Sequence, residues 1–181
     1  MNTVEPIRNP DTVHAIEQYL YNKNEKYYIM FITGTYLGLR INEVLKLKIK
    51  DVRNRREKVF RQSKTGKECA VSYNNKLIRA FRTYCENRDD NEALIPNPHN
   101  PFKSISRQQA YRVLRDAGIH FGLENIGTHT LRKTCGYHYY KQTKDIATLQ
   151  IWFNHTSMEE TLRYIGVTRE RVQKAMLDFK I

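Results

Sequence analysis

The chain has 181 residues, about the length of one domain and enough to bury a substantial core. Lysine and arginine outnumber aspartate and glutamate by 31 to 19, which gives a formal net charge of +12. A surface this positive favours a polyanionic partner, with nucleic acid ahead of an acidic membrane. The most apolar stretch, residues 27–39, is too short and too interrupted to span a bilayer, and the N-terminal residues lack the pattern of a signal peptide.

The cysteines suggest no disulfide framework, because they are odd in number and scattered along the chain as Cys69, Cys85 and Cys135. This usage fits a reducing compartment. We therefore expect a cytoplasmic protein that does not associate with membranes.

The first part of the chain predicts helices followed by one hairpin. Residues 1–9 are expected to form a tether, and Asn9 followed by Pro10 is typical of a helix start. Further helices are expected over about residues 26–39 and 41–47. Two β-capable runs in KVFRQSKTGKECAVSY then flank Thr65-Gly66, which predicts a hairpin.

The remaining elements are predicted to be helical. Helical patterns cover about residues 75–88, break at the turn-rich IPNPHNPF and return over about residues 106–116. Four more helices are expected at about 128–143, 145–153, 157–165 and 168–179. The fold class is therefore α+β, mainly α-helical with a small β-hairpin, and residues 10–181 are expected to form one domain.

The sequence His129-Thr-Leu-Arg132 places two cationic or hydrogen-bond-donating side chains on one face of a helix. Thr128 is expected to cap that helix, so both groups would lie near its free N–H groups, where an anion is favoured. Gly136, one turn further on, would let another backbone segment or a ligand approach closely. By itself, HxxR is also typical of a capped helix with a solvated arginine.

Two other segments carry candidate cations. Arg40 lies in GLRINEVL, where Glu43 is placed to hold it, because an arginine among leucines needs a charged partner. The pair is equally compatible with an ion pair that only joins two helices. Lys64, at the hairpin tip, is able to enter a groove, although most such lysines only keep a tip soluble.

Tyr164 stands near the end of a short predicted helix. Ser157 and Glu160 form a capping box that marks the start of this helix. Gly166 follows as an expected left-handed terminator. A tyrosine in this position can be presented on a movable arm, although it is one of twelve tyrosines in the chain.

The order of these signals resembles the tyrosine recombinase family of the phage-integrase type. The segments GLRINEVLKL, SKTGK, HTLRKT and NHTSMEETLRYIG are similar to the motifs of that family, and the resemblance extends from about residue 9 to the C-terminus. It implies the catalytic fold of that family and an enzyme that cleaves and rejoins DNA through a 3′-phosphotyrosine link. It also implies that no metal, cofactor or ATP is needed.

The resemblance assigns a role to each candidate residue. Tyr164 matches the nucleophile, Lys64 the general acid, and the remaining positions bind or support the phosphate: Arg40, Arg132, His129, His155 and Glu43. The implied partner is double-stranded DNA, with a tetramer on DNA and a monomer for the isolated domain. Accessory DNA-bending or directionality proteins and a role in integrating or excising a mobile element are implied as well.

The sequence departs from the family pattern at three places, none of which removes a candidate catalytic group. Phe153-Asn154 replaces the common Leu-Gly, Lys133 replaces a histidine or arginine, and Ile165-Gly166 replaces a polar pair. Asn154 adopts left-handed geometry nearly as readily as glycine, so the turn before His155 is expected to persist. The N-terminal helical domain usual in the family is expected to be absent.

Three other functions remain open from the sequence. A type IB topoisomerase uses similar residues to relax supercoils, and a catalytically silent DNA-binding module would share the basic surface. A zinc module is the third, built from His129, Cys135 and His138, although no CxxC pair supplies further ligands.

Overall fold

The computed structural model describes residues 4–61 and 68–179 and is mostly helical, which confirms the predicted fold class. Its helices are α1 Pro10–Lys23, α2 Glu25–Leu37, α3 Ile41–Val44, α4 Ile49–Val52, α5 Asn75–Tyr84, α6 Arg107–His120, α7 Thr130–Thr143, α8 Ile146–Phe153, α9 Met158–Tyr164 and α10 Val167–Asp178. The strands form two antiparallel pairs, β1 Glu57–Arg61 with β2 Glu68–Ser72, and β3 Pro96–Asn97 with β4 Asn100–Ser104.

Helix α2 lies at the centre of the core and packs against α1, α5 and α7. Every residue from Ile29 to Thr35 is buried, as expected for a helix that is apolar on all sides. A Cβ on Gly34 would lie 2.5 Å from Leu131 Cδ1 of α7, so only glycine allows the two helices this close. Because Leu131 precedes Arg132, this contact fixes where the first turn of α7 lies.

A smaller core holds the C-terminal helices. Its buried members are Tyr137, Tyr140, Leu149, Phe153, Ile165 and Val167. A Cβ on Gly136 would lie 2.7 Å from Ile165 and 2.8 Å from Phe153, so side chains, and not the expected backbone or ligand, approach this glycine closely. The groups that approach are two apolar side chains, and they bring α8 and the end of α9 against α7.

Helix starts follow the predicted caps at several places. The side chain of Asn9 accepts the Asp11 N–H with Pro10 at the first helical position, and Ser157 caps α9. The predicted capping box is incomplete, because Glu160 accepts the Thr156 N–H at 2.8 Å and not that of Ser157. The prediction that Thr128 caps α7 is wrong, because the helix begins after His129 with no side-chain cap. The Thr130 hydroxyl instead accepts the Gly127 N–H at 3.1 Å.

The predicted hairpin is confirmed as the β1–β2 pair, in which Val59 lies opposite Ala70. The tip, including Lys64 and Thr65-Gly66, lies outside the described residues. The turn-rich segment after residue 95 forms a second hairpin that the sequence pattern did not predict, because its turns are set by side chains. Asn97 accepts the His99 N–H at 2.9 Å, and Asn100 accepts the Phe102 N–H at 3.0 Å.

The described part of the expected tether, residues 4–9, packs on the domain. Ile7 is buried, and the Glu5 N–H donates to the Asn125 carbonyl at 2.9 Å. Within residues 4–61 and 68–179, no helix is long and apolar enough to cross a membrane.

Candidate active site

Arg132 is the most enclosed cation of the candidate site, with 4% of the residue exposed. Its guanidinium donates to the Gly38 carbonyl at 2.6 Å and to the Phe153 carbonyl at 2.8 Å, and it lies 4.0 Å from the centre of the Phe153 ring. Burial and the nearby charge of Arg40 lower the pKa of this guanidinium. These contacts hold it in one orientation, and no carboxylate of residues 4–61 and 68–179 forms an ion pair with it; such fixed charge is what electrostatic preorganisation requires.

Arg40 enters the site from the loop between α2 and α3. Gly38 ends α2 in the left-handed conformation, with φ of 61°, and so turns the chain towards Arg40. Glu43 Oε2 accepts the Arg40 N–H at 2.7 Å, and Glu43 Oε1 accepts its guanidinium at 3.2 Å, which confirms the predicted pairing. The Arg40 side chain remains 39% exposed, so it is oriented yet accessible to a ligand.

Tyr164, the last residue of α9, faces both candidate histidines. Its Oη lies 3.4 Å from His129 Nδ1, and its ring meets the His155 ring edge-to-face with centroids 5.0 Å apart. Phe153 makes a second edge contact, with ring centroids 5.9 Å apart. Burial raises the pKa of Tyr164, whereas the charges of Arg132 and Arg40 oppose that rise.

His155 follows the left-handed turn expected at Asn154, whose φ is 50°. His155 Nδ1 lies 3.1 Å from the Thr161 hydroxyl, which donates its own proton to the Ser157 carbonyl. The hydroxyl therefore accepts from Nδ1, which leaves Nε2 without the ring proton and available for a ligand. Burial lowers the pKa of His155, Glu160 opposes this, and the two arginines add to it.

His129, at the start of α7, lies on the exposed side of the site. Partial desolvation of its ring lowers its pKa, and the positive charges of Arg107, Lys133 and the two site arginines lower it further. An imidazole with a lowered pKa is neutral at neutral pH, so His129 is able to accept a proton there.

The structure brings five of the predicted site residues together: Arg40, His129, Arg132, His155 and Tyr164. Glu43 supports them, whereas Lys64 lies outside the described residues. Sequence reasoning missed two contacts, the Phe153 ring beneath Arg132 and Lys133 against Tyr164. Both residues stood out in the sequence only as departures from the family pattern.

The zinc alternative finds no support in the arrangement of its three residues. His129 faces Tyr164, His138 Nε2 donates to the Ile7 carbonyl at 2.9 Å, and Cys135 is buried beside the Gly38 turn. Among the residues that the structure describes, no group of three or more histidine, cysteine or acidic side chains is placed to hold a metal ion.

This mainly helical fold is that of a tyrosine recombinase catalytic domain, and Tyr164 lies in it beside two arginines and two histidines. The chain belongs to the phage integrase family, whose model matches residues 9–171. The resemblance found in the sequence is thereby confirmed over nearly the whole chain.

Three known proteins illustrate this relationship. A probable integrase/recombinase, YoeC of Bacillus subtilis, is 43% identical over 97% of this chain and 96% of its own length. Tyrosine recombinase XerA of Pyrococcus horikoshii is 27% identical over 92% of this chain and 60% of its own length. The crystal structure of a lambda integrase tetramer bound to a Holliday junction superposes with a TM-score of 0.68 at 18% identity. It covers 90% of this chain and 48% of that one, and at this identity the likeness shows the fold alone.

Proposed function

We propose that this protein is a site-specific DNA recombinase that cleaves and rejoins strands through a covalent 3′-phosphotyrosine intermediate. The observation that carries the proposal is the position of Tyr164 Oη, 3.4 Å from His129 Nδ1 and within the field of two arginines. A phosphodiester bound there meets a nucleophile, a proton acceptor and fixed positive charge together.

In the proposed reaction, Tyr164 Oη forms a bond to phosphorus while the bond from phosphorus to the 5′-oxygen breaks. The phenol proton passes to the neutral His129, and the leaving 5′-oxygen takes a proton from Lys64. Arg40 and Arg132 stabilise the charge that gathers on the nonbridging oxygens. The phosphotyrosine bond keeps the energy of the cleaved diester, so the reverse attack by a 5′-hydroxyl rejoins the strand without ATP.

Metal independence follows from the charge of the site. Arg40 and Arg132 already supply positive charge of the kind that a divalent ion would bring to the phosphate. We expect a nicked suicide duplex to yield a protein–DNA adduct that resists SDS, both with and without excess EDTA. An adduct that vanished in EDTA and returned with magnesium would contradict this mechanism.

The same assay separates the alternative functions. Supercoil relaxation without strand exchange between two duplexes would favour a topoisomerase, and duplex binding without any adduct would favour a silent binding module. Strand exchange supports recombination, with double-stranded DNA as the partner and the integration or excision of a mobile element as the setting. Accessory DNA-bending or directionality proteins belong to the same proposal.

Helix α10 supports assembly on DNA, because its two halves differ in packing. At its start, Val167 is buried and Glu170 accepts from Lys141 at 2.7 Å. The apolar side chains further along are largely exposed: Val172 at 55%, Met176 at 72%, Leu177 at 85% and Phe179 at 73%. We propose that this second half packs on a neighbouring protomer in a DNA-bound tetramer.

We expect the protein to be a monomer in free solution and an oligomer only on DNA. The logarithm of the DNA-binding constant should fall linearly with the logarithm of the salt concentration, with a slope of about −0.9 for each phosphate neutralised. The reason is that lysine and arginine make the main contacts with DNA. A Met176→Glu, Leu177→Glu double variant should keep the adduct on a single suicide duplex but lose the higher assemblies. Light scattering with and without DNA measures this, and a stable dimer in the absence of DNA would contradict it.

A further inference from the structure

Lys133 is a buried cation that the proposed reaction does not use. Only 8% of the residue is exposed, although it follows Arg132 directly in α7. Its Nζ lies 5.2 Å from the centre of the Tyr164 ring and donates to the Val4 carbonyl at 2.7 Å. Burying an ammonium group costs free energy unless specific contacts compensate for the lost water. The Val4 carbonyl and the Tyr164 ring are two such contacts, and the second involves the proposed nucleophile.

We propose that Lys133 is a positioning residue for the nucleophile, and that residues 4–8 hold it in place. These residues are called the N-terminal strap below. The ammonium over the aromatic face attracts the ring, and this attraction is stronger where water is excluded. The inference rests on the proposed role of Tyr164 and adds to it the element that sets the orientation of the ring.

The strap is fixed to α7 by several hydrogen bonds. The Ile7 N–H donates to the Thr134 hydroxyl at 2.9 Å, and His138 donates to the Ile7 carbonyl at 2.9 Å. Both partners lie within about a turn and a half of Lys133 on the same helix. The Val4 carbonyl that receives the lysine therefore belongs to a segment with a defined position.

The strap also holds the chain that follows the nucleophile. Glu5 accepts from Arg8 at 2.7 Å and from Arg169 of α10 at 3.1 Å. A Cβ on Gly166 would lie 2.9 Å from the Arg8 guanidinium, so the strap contacts the turn two residues after Tyr164. The strap thus joins α7, which carries Lys133, to the turn that follows Tyr164.

The ring has further neighbours, and their geometry shows what the lysine adds. Phe153 and His155 meet it edge-to-face and so limit sideways movement. Lys133 lies over the face of the ring, where an ammonium resists tilting. The separation of 3.4 Å between Tyr164 Oη and His129 Nδ1 is already at the long limit of a hydrogen bond. A tilt of the ring that lengthened it would break this contact.

The test compares Lys133→Met with Lys133→Arg and a matched control. Methionine keeps the stem and removes the charge, so we expect the adduct to form roughly tenfold more slowly, with duplex affinity unchanged. Arginine keeps the charge and should restore most of the rate. Lys26→Met is the control, because Lys26 also donates to a backbone carbonyl, that of Pro96, and lies 5.2 Å from the Tyr27 ring.

A direct measure of ring orientation separates positioning from a purely structural role. With 3-fluorotyrosine at position 164, the fluorine NMR resonance should shift or split in Lys133→Met but not in Lys26→Met. If Lys133→Met does not fold, Glu5→Gln weakens the ion pairs of the strap and leaves Lys133 in place, and it should slow the adduct in the same sense. A normal rate in both variants, or an arginine variant as slow as the methionine variant, overturns the inference.

Failure of this inference is distinguishable from failure of the proposed function. If the wild-type protein forms its adduct through Tyr164 and Lys133→Met forms it at the same rate, only the positioning role of Lys133 is refuted. A loss of rate matched by an equal loss of duplex affinity would make Lys133 a DNA contact and also overturn the inference. An adduct on a residue other than Tyr164 would overturn the proposed function itself.

Discussion

Replacing Tyr164 by phenylalanine is expected to abolish the covalent adduct completely, because the substitution removes the only oxygen that is proposed to attack phosphorus. Folding should hardly change. The Oη contact with His129, at 3.4 Å, is long, so its loss costs less than about 1 kcal/mol of unfolding free energy. The ring keeps its edge contacts with Phe153 and His155. Duplex binding should therefore persist without chemistry.

The measurement is SDS-resistant adduct on a nicked suicide duplex, with duplex affinity and thermal unfolding recorded on the same samples. Tyr139→Phe is a suitable control, because Tyr139 is a nearby tyrosine of α7 whose ring stacks edge-on against Trp152. An adduct that survived Tyr164→Phe would assign the attack to another tyrosine. If the variant did not fold, the Tyr164 hydroxyl would contribute more to the free energy of unfolding than its contacts indicate.

The sequence predicted most helices because their signals are local. Asn9 with Pro10, Ser157 at the start of α9 and the left-handed Gly166 are each set by neighbouring residues, and the structure confirms all three. The errors fall where side chains make local contacts that the sequence pattern did not specify, such as Thr130 with the Gly127 N–H and Asn97 with the His99 N–H. Helix α7 begins without the expected Thr128 cap, and the segment after residue 95 pairs as a hairpin instead of only turning.

The candidate site was predictable as a set of residues but not as a geometry. The order of the motifs identified Arg132 and Tyr164, yet no local pattern predicts that Arg132 is bound by the carbonyls of Gly38 and Phe153. The hydrogen bond from Lys133 to the Val4 carbonyl joins residues 129 positions apart, and no local pattern predicts it either. Such contacts depend on how α2, α7 and α8 pack, which a single sequence expresses only indirectly.

Lys64→Ala is expected to slow adduct formation by roughly 10²–10⁴ on ordinary DNA, the usual contribution of a positioned general acid. The proposed reason is that the 5′-oxygen leaves as an alkoxide, which is a poor leaving group without a proton. In sequence, Lys64 lies between β1 and β2, whose pairing extends to Arg61 opposite Glu68. Single-turnover cleavage of a suicide duplex measures the rate.

A substrate with sulfur in place of the bridging 5′-oxygen distinguishes an acid from a phosphate contact. A thiolate leaves readily without protonation, so this substrate should restore the rate of Lys64→Ala. It should not restore Arg40→Ala, because Arg40 is proposed to act on the nonbridging oxygens, which the sulfur leaves unchanged. Rescue of Lys67→Ala, with Lys64→Ala normal on ordinary DNA, would move the acid along the hairpin. If the sulfur substrate failed to restore Lys64→Ala, Lys64 would not be the residue that donates the proton.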